Sequence, residues 1–208
     1  MIWELLANGL IGYLLGSVPF GLVVGYLWTG RDIRESGSGK TGTTNVLRTA
    51  GKLPAVLVMI GDISKGAGPA LIGRFVFHSD AVAAFGASLA LVGHVWPIFA
   101  GFRGGRGVAS AYGGVLGLTP LLSLFFPLIG AVLIVPTRIV SLMSVVGVPL
   151  ATICVIVAAA RFGQPWAFAF YCVFATLLVE FKHIPNIRRL AAGTEPRFGQ
   201  GGNRPATG

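Results

Sequence analysis

Four long stretches of this chain carry no acidic or basic side chain, and they constrain its fold more than any other feature. They are residues 5–30, 81–102, 107–137 and 139–160. A helix needs about 20 apolar residues to cross a bilayer, and each stretch is long enough. Charged residues make up 11% of the chain, less than half of the share of about 25% that is usual in soluble domains. The sequence therefore predicts a polytopic membrane protein, and its length of 208 residues favours one domain, 1–208.

Seven apolar segments follow from this pattern, and Pro120 marks the least obvious boundary between them. Because proline disfavours continuation of a helix, the uncharged stretch that contains Pro120 is expected to form two short helices. The expected segments are 5–28, 53–76, 81–101, 107–118, 120–136, 139–160 and 163–181. The predicted fold class is an all-α bundle of about seven transmembrane helices, some of them short. The tail 196–208, rich in Gly and Pro, is expected to be flexible.

The basic residues indicate the orientation of the bundle. Five Lys and Arg residues lie within 31–52, and five lie within 182–208. Arg103, Arg106 and Arg138 fall in turns that seven crossings place on the same side. The positive-inside rule assigns that side to the cytoplasm, so the N-terminus is expected outside the cell and the C-terminus inside.

The first polar loop, SGSGKTGTTNVLR at 36–48, contains a GKT tripeptide like that of a nucleotide-binding P-loop. A Walker loop needs glycine five residues before Gly39, where this chain has Arg34. It should also follow a buried strand, and this loop follows a membrane span. ATP binding is therefore not expected, but the residue types still suit an anion, because glycines expose backbone amides and Arg48 offers a fixed fork for phosphate. Taken alone, the loop is also compatible with a glycine-rich turn between helices. The candidate anion-binding residues here are Gly37, Ser38, Gly39, Lys40, Gly42, Thr43, Thr44, Asn45 and Arg48.

The second loop, at 93–110, places two arginines just before an expected helix. Arg103 and Arg106 flank a Gly-Gly pair, so an anion there would meet two guanidinium groups and the positive end of a helix. The candidate residues are Arg103, Gly104, Gly105 and Arg106. His94 is expected about two and a half turns inside the preceding helix. A lone histidine in a bundle is more often structural, but polar groups inside membranes tend to be functional, so His94 is a secondary candidate.

The third loop, at 181–195, follows the last expected crossing. His183 and Asn186 are spaced to share one face of a helix, although Pro185 disfavours a regular helix there. Arg189 and Glu195 complete the candidate set. A membrane stop signal is the alternative interpretation of the charges at Lys182 and Arg188.

Two further positions carry polar groups into apolar surroundings. Asp62 and Lys65 interrupt the second segment, and an ion pair inside a membrane usually faces the bundle interior. A structural pair and a functional pair are equally compatible with this spacing. Ser141 follows Arg138 closely and is expected to join the basic cluster.

Together, these segments resemble the acyl-phosphate-dependent glycerol-3-phosphate acyltransferase family of bacterial membranes. The family signature GSGN-x-GATN-x-x-R is similar to GSGKTGTTNVLR, and GH-x-x-P-x-F-x-x-F-K-G-G-K-G-V-A is similar to GHVWPIFAGFRGGRGVA. The third signature, H-x-x-N-I-x-R-L with a following glutamate, is similar to HIPNIRRLAAGTE, and D-x-x-K-G is similar to the GDISKG segment. The resemblance covers about 12–195. Lys40 and Thr43 replace the usual Asn and Ala, and Arg103 and Arg106 replace two lysines, so positive charge is kept while donor geometry changes.

The resemblance implies the first acylation step of phospholipid synthesis. An acyl phosphate would give its acyl group to the sn-1 hydroxyl of glycerol 3-phosphate, yielding lysophosphatidic acid and phosphate. Implied catalytic residues are Ser38, Arg48, Arg106, Ser141, His183 and Asn186. Implied substrate-binding residues are Gly37, Gly39, Lys40, Thr44, Asn45, His94, Arg103, Gly104, Gly105, Arg189 and Glu195.

The implied setting is a bacterial inner membrane, with the active site at its cytoplasmic face. The expected partners are the two substrates and membrane lipids, together with transient contact with the enzyme that makes the acyl phosphate. No nucleic acid, cofactor or metal ion is expected. The general base is left open between His183 and the departing phosphate.

Two other functional classes fit the sequence less well. A transporter of phosphorylated anions usually places its site at the membrane midplane, often between repeats, and no repeat is apparent here. A phosphatidyl-alcohol transferase would need closely spaced aspartates for metal binding, and this chain has only Asp32, Asp62 and Asp80. None of the three histidines has an aspartate five residues later, so the H-x-x-x-x-D motif of other glycerolipid acyltransferases is absent.

Overall fold

The structure is a computed structural model that describes residues 1–197. Its α-helices are α1 (Ile2–Gly16), α2 (Phe20–Thr29), α3 (Thr43–Thr49), α4 (Lys52–Phe75), α5 (Asp80–Val95), α6 (Val108–Leu118), α7 (Pro120–Ser123), α8 (Phe125–Thr137), α9 (Val148–Phe162) and α10 (Trp166–Ala191). Three short turns join them: the 3-10 turns Ile33–Glu35 and Ile98–Ala100, and a π-helical turn at Met143–Gly147. No strand occurs in this part of the chain. Most of the expected flexible tail, from 198 onward, lies outside the described residues.

Six helical stretches are long and apolar enough to cross a membrane, and a seventh is shorter. The six are Ile2–Thr29, Lys52–Phe75, Asp80–Ala100, Pro120–Thr137, Met143–Phe162 and Trp166–Ala191. Val108–Leu118 is the shorter apolar helix. These seven stretches correspond to the seven predicted segments, so the prediction of an all-α membrane bundle with some short helices is confirmed.

Prolines set three features of the helices, of which the sequence predicted one. Pro120 begins α7, and only Thr119 separates it from the end of α6, as expected. Pro19 precedes α2 and divides the first span into two helices; this break was not predicted, because the apolar pattern runs through it. Pro185 lies inside α10, which continues to Ala191 instead of ending near 181. The third polar loop is therefore mostly the last turns of a helix.

α5 lies in the middle of the bundle and packs against α1, α4, α6 and α10. α4 and α6 approach each other more closely than ordinary side chains permit. A Cβ at Gly66 would overlap the carbonyl of Ser110, and a Cβ at Gly113 would overlap that of Ile63. Small residues at such contacts let backbones approach where lipid provides no hydrophobic force. This contact holds the middle of α4 beside the first turns of α6.

Candidate functional site

One cavity of about 540 Å³ opens at the end of the bundle where the basic segments lie. Its lining comes from the α2–α4 connection, the start of α6, the α8–α9 connection and the end of α10. These segments therefore lie at the same end of the bundle, as the alternation of crossings predicted. The opposite wall is apolar and is formed by Met59, Ile63, Val108, Tyr112, Phe126, Pro127, Ile134, Val140 and Met143. The cavity thus has a polar end and an apolar wall.

All six residues predicted as catalytic line this cavity. They are Ser38, Arg48, Arg106, Ser141, His183 and Asn186. Of the residues predicted to bind substrate, the cavity is also lined by Lys40, Thr44, Asn45, His94, Arg189 and Glu195. The remaining predicted residues do not line it, and these are Gly37, Gly39, Arg103, Gly104 and Gly105. Arg103 is exposed, whereas the glycines shape the loops behind the cavity wall.

Asn45 organises the first loop from within. Its side-chain nitrogen lies 2.9 Å from the carbonyl oxygens of Ile33 and Lys40 and 3.2 Å from that of Ser36, and its Oδ1 accepts the amide of Ser38 at 2.7 Å. The amide of the next residue, Gly39, is bonded to Ser36 as well. The amides of Ser38 and Gly39 are thus used inside the loop, although the sequence suggested that such amides face an anion. The positive φ angles of Gly37 and Gly39, 63° and 65°, let the chain turn around the Asn45 side chain.

Two guanidinium groups at the polar end have no acidic partner in the part of the chain that the structure describes. Among residues 1–197, neither Arg48 nor Arg106 forms a salt bridge. Burial lowers the pKa of Arg106 below its usual value, and the nearby charges of Arg189 and Arg48 lower it further. An arginine with a lowered pKa is still protonated at neutral pH. The cavity therefore concentrates positive charge that an anion of the right size would neutralise.

Glu195 joins two residues of α10 into a fixed group. Its Oε1 accepts a hydrogen bond from Asn186 Nδ2, and its Oε2 accepts one from Arg189 Nε, both at 2.7 Å. Burial raises the pKa of Glu195, but hydrogen bonds outweigh burial and hold the pKa below its usual value. The hydroxyl of Ser141 faces the same carboxylate and contributes to this lowering, although it forms no hydrogen bond of standard geometry. Arg189 is thus neutralised by Glu195, unlike Arg48.

His183 is held in one tautomer by the helix that carries it. Its Nδ1 lies 2.8 Å from the carbonyl oxygen of Val179. Because a carbonyl only accepts, Nδ1 carries the proton and Nε2 of the neutral ring is an acceptor. His183 and Asn186 are both buried on one face of α10, as their spacing predicted.

Several buried polar atoms in the lining lack partners in the described part of the chain. They are Oγ1 of Thr43, Nδ1 of His94, Oγ of Ser141 and Oδ1 of Asn186. Buried polar groups are usually satisfied, so unsatisfied ones in a cavity mark positions where a ligand or water completes the hydrogen bonding. Within residues 1–197, no group of three His, Cys, Asp or Glu side chains is placed to hold a metal ion.

His94 and Asp62 line the deep side of the cavity. Asp62 Oδ1 lies 2.9 Å from Lys65 Nζ, so the expected intramembrane ion pair forms. His94 is in the last turn of α5, because that helix ends at Val95 shortly before Pro97. The sequence placed it two and a half turns inside a helix, and this depth was wrong.

The apolar wall is the part of the site that the sequence did not identify. Tyr112 of α6 stacks on Phe126 of α8, with ring centroids 5.1 Å apart. In an apolar sequence, an aromatic residue that lines a cavity has no local signature that distinguishes it from one that faces lipid. Only the side-chain contact between α6 and α8 distinguishes these two among the 14 phenylalanines and 4 tyrosines.

Comparisons with known proteins identify the family of this chain. A sequence model of the family described as glycerol-3-phosphate acyltransferase matches residues 6–193. A glycerol-3-phosphate acyltransferase of Parasynechococcus marenigrum is 43% identical over 194 residues, which are 91% of this chain and 88% of that protein. Another, from Shouchella clausii, is 39% identical over 202 residues, covering 96% of this chain and 98% of that protein.

Two solved structures share the fold. The crystal structure of PlsY (YgiH), an integral membrane glycerol 3-phosphate acyltransferase, in its glycerol 3-phosphate form has a TM-score of 0.86 and 39% identity. The match covers 94% of this chain and 96% of that one. The lysophosphatidic acid form has a TM-score of 0.83 and 37% identity, covering 93% and 94%. The chain therefore belongs to the glycerol-3-phosphate acyltransferase family and is an integral membrane acyltransferase.

Proposed function

We propose that this protein transfers a fatty acyl group from an acyl phosphate to the sn-1 hydroxyl of glycerol 3-phosphate, giving lysophosphatidic acid and inorganic phosphate. One observation carries the proposal: one cavity joins an apolar wall to two arginines, Arg48 and Arg106, that form no salt bridge within residues 1–197. Both proposed substrates carry phosphate, and one also carries an acyl chain. The polar end of the cavity suits the phosphate groups, and its apolar wall suits the acyl chain.

The chemistry needs little beyond positioning and charge. The acceptor hydroxyl oxygen attacks the acyl carbonyl carbon, the bond between that carbon and the phosphate oxygen breaks, and the hydroxyl proton ends on the departing phosphate. The mixed anhydride is already activated, so orientation and neutralisation of the developing negative charge can supply most of the acceleration. Arg48, Arg106, Ser38 and Ser141 are assigned to the phosphate groups in this scheme.

The glycerol part of the acceptor is assigned to the end of α10. His183 Nε2 and Asn186 Oδ1 are both acceptors in the tautomer and amide orientation described above. They suit the two hydroxyl groups of glycerol 3-phosphate. His183 is then placed to receive the hydroxyl proton on its way to the phosphate, and Glu195 holds Asn186 and Arg189 in position.

The membrane setting completes the proposal. The whole chain, 1–208, is one transmembrane acyltransferase domain of a bacterial inner membrane, with its N-terminus outside and its C-terminus inside. The positive residues around the cavity support a cytoplasmic site. Acyl phosphate, the proposed donor, enters from the lipid side, and transient contact with the enzyme that makes it delivers the donor to this face.

The first experiment compares donors with purified protein in a lipid mesophase or detergent. Glycerol 3-phosphate is supplied with palmitoyl phosphate or palmitoyl-CoA, and each donor is also tested without acceptor. Phosphate release only with palmitoyl phosphate and acceptor, matched by lysophosphatidic acid, is the expected result. Turnover with palmitoyl-CoA alone would overturn the assigned donor, and silence with both donors would favour a transporter of phosphorylated anions.

The second experiment tests the two unpaired arginines. We expect Arg48→Ala and Arg106→Ala each to lower kcat/KM by about a hundredfold or more, the usual loss when one preorganised donor to a transition state is removed. Arg188→Ala is the matched control, because Arg188 is exposed on α10 and does not line the cavity. Wild-type rates in either cavity variant, with normal thermal stability, would contradict the phosphate assignment.

A further inference from the structure

A buried polar cluster of three residues lies directly behind the second loop, and the proposed reaction does not use it. Asp62 and Lys65 of α4 and His94 of α5 are 2%, 6% and 5% exposed. Lys65 Nζ is fixed by three contacts: it lies 2.9 Å from Asp62 Oδ1, donates to the carbonyl of Val18 at 3.0 Å, and lies 5.8 Å from the centre of the Phe20 ring. Such a group is costly to place in a membrane interior, so it calls for a functional account.

His94 connects this ion pair to the loop that carries Arg106. Its Nδ1 lies 3.5 Å from Asp62 Oδ1, and the backbone carbonyl of His94 accepts the amide of Gly105 at 3.2 Å. Within the described residues Nδ1 forms no hydrogen bond of standard geometry, so its contact with Asp62 is electrostatic. The imidazole therefore has the ion pair on one side and the loop on the other.

The loop lies so close to His94 that only glycines fit. A Cβ at Gly105 would overlap Nε2 of the His94 ring, and a Cβ at Gly104 would overlap the backbone carbonyl of His94 and Cδ of Pro97. At the other end of the loop, Ser110 Oγ on α6 donates to the backbone carbonyl of Asp62 at 3.0 Å. Residues 104–110 are thus seated against the cluster at both ends, with Arg106 between them.

We propose that the Asp62–Lys65–His94 cluster is a positioning device for the second loop, and that His94 acts through Gly105 to aim Arg106 into the cavity instead of binding substrate itself. The inference rests on the proposed function, since it concerns the same phosphate site. It explains why the Gly-Gly pair is needed although neither glycine lines the cavity. It also gives the Asp62–Lys65 ion pair a role, whereas the proposed acyl transfer assigns none to it.

A double-mutant cycle tests the contact between His94 and Gly105. Alone, Gly105→Ala should lower kcat/KM by about tenfold or more, because small displacements of a positioned group are costly. In the His94→Ala background the added methyl has room, so the same change should cost less than about threefold. Equal losses in both backgrounds would overturn the proposal.

Gly104→Ala is the matched control. The added methyl group would overlap backbone atoms and Pro97, which His94→Ala does not remove. Gly104→Ala should therefore lower kcat/KM by the same factor in both backgrounds. A general loosening of the loop by His94→Ala would instead relieve both glycine variants equally and would count against a specific His94–Gly105 contact.

Conservative replacements of His94 separate positioning from direct substrate binding. The side-chain amide of asparagine reaches the place of Nδ1, and that of glutamine reaches the place of Nε2. We expect His94→Asn to keep the Asp62 contact and to retain several-fold more activity than His94→Gln or His94→Ala. The reverse order would show that Nε2 contacts the substrate.

A binding measurement keeps this inference distinguishable from the proposed function. Calorimetric titration with glycerol 3-phosphate reports the anion site without turnover. Gly105→Ala should weaken binding, and adding His94→Ala should restore it in part. Such rescue would support the positioning role even if the donor proved not to be an acyl phosphate, whereas additive losses would overturn it.

Discussion

At the scale of single residues, the site depends on side chains that hold other side chains. Asn45 is the clearest case, since all its side-chain hydrogen bonds are to backbone atoms of residues 33–40. Glu195 plays a similar supporting role, since its carboxylate accepts hydrogen bonds from the side chains of Asn186 and Arg189. Within residues 1–197, the charged lining residues that form no salt bridge are Lys40, Arg48 and Arg106, and these are the ones that a phosphate would reach. This division between supporting and binding residues is what the first predictions test.

Asn45→Asp should collapse the first loop. The change removes the donors to three backbone carbonyls and brings a carboxylate against them, at a cost of about 2–3 kcal/mol. The midpoint of thermal unfolding in detergent should fall by ~5 °C or more. Thr49→Val is the control on the same helix, because it removes a hydroxyl bonded to the Asn45 carbonyl but leaves the Asn45 side-chain contacts intact. An unchanged midpoint in the aspartate variant would contradict this role.

Glu195 should make stability depend on acid pH in a defined direction. Its pKa in the folded protein is lower than the usual 4.5, so its contribution is complete above that pH and is lost as the pH falls through the lower folded-state value. Glu195→Gln should therefore unfold at a lower temperature than the wild type at neutral pH, and the difference should shrink toward pH 3. A difference that stays constant with pH would show that the charge of Glu195 is not responsible.

At the scale of elements, the apolar wall is built where α6 meets α8. Tyr112 and Phe126 line the large cavity on one side and a smaller apolar cavity on the other. The smaller cavity is lined by residues that include Leu122, Val148 and Ala175. The stacked rings are therefore a partition between two apolar spaces, only one of which reaches the polar end.

Phe126→Ala should shift the acyl-chain preference toward longer donors. Removing the ring opens the partition and joins the two apolar spaces, so a longer chain gains contacts that a shorter one cannot make. The measurement is relative turnover with lauroyl, palmitoyl and arachidoyl phosphates. Phe125→Ala is the control, since Phe125 is 53% exposed and lines neither cavity. A loss that is equal for all chain lengths would refute the partition.

The sequence predicted the elements well where a local signal existed. The length of the uncharged stretches predicted the membrane crossings, and Pro120 predicted the division between α6 and α7. Pro19 lies in the middle of the first span and gave no comparable signal, because the apolar pattern runs through it and a proline inside a span can either bend or break the helix. The continuation of α10 through Pro185 depends on packing that holds His183 and Asn186 in the core.

The residue types of the site could be predicted from the sequence, but the contacts between these residues could not. The polar types at 37–48, 103–106 and 183–195 indicated an anion site, and the cavity brings the three segments together. The hydrogen bonds of the Asn45 side-chain amide to loop carbonyls arise only in the folded structure. The same holds for the contact between the His94 ring and Gly105. Residue spacing carries no information about them.

At the scale of the whole molecule, alternating crossings bring four basic segments to one end. The charge asymmetry gives a testable orientation, since positive loops stay in the cytoplasm. A reporter that fluoresces only in the cytoplasm should be bright when fused to the C-terminus and dark when fused to the N-terminus. Bright signal from the N-terminal fusion would place both the cavity and the site on the opposite face.

The large cavity also has a consequence for how the enzyme would be regulated. Its polar end and its apolar wall are continuous, so the product of the proposed reaction, which carries both a phosphate and an acyl tail, fills the places of acceptor and donor together. Lysophosphatidic acid then behaves as a natural bisubstrate inhibitor. We expect its accumulation to compete with either substrate, so that the rate of this step follows the rate at which the next acylation clears the membrane of product.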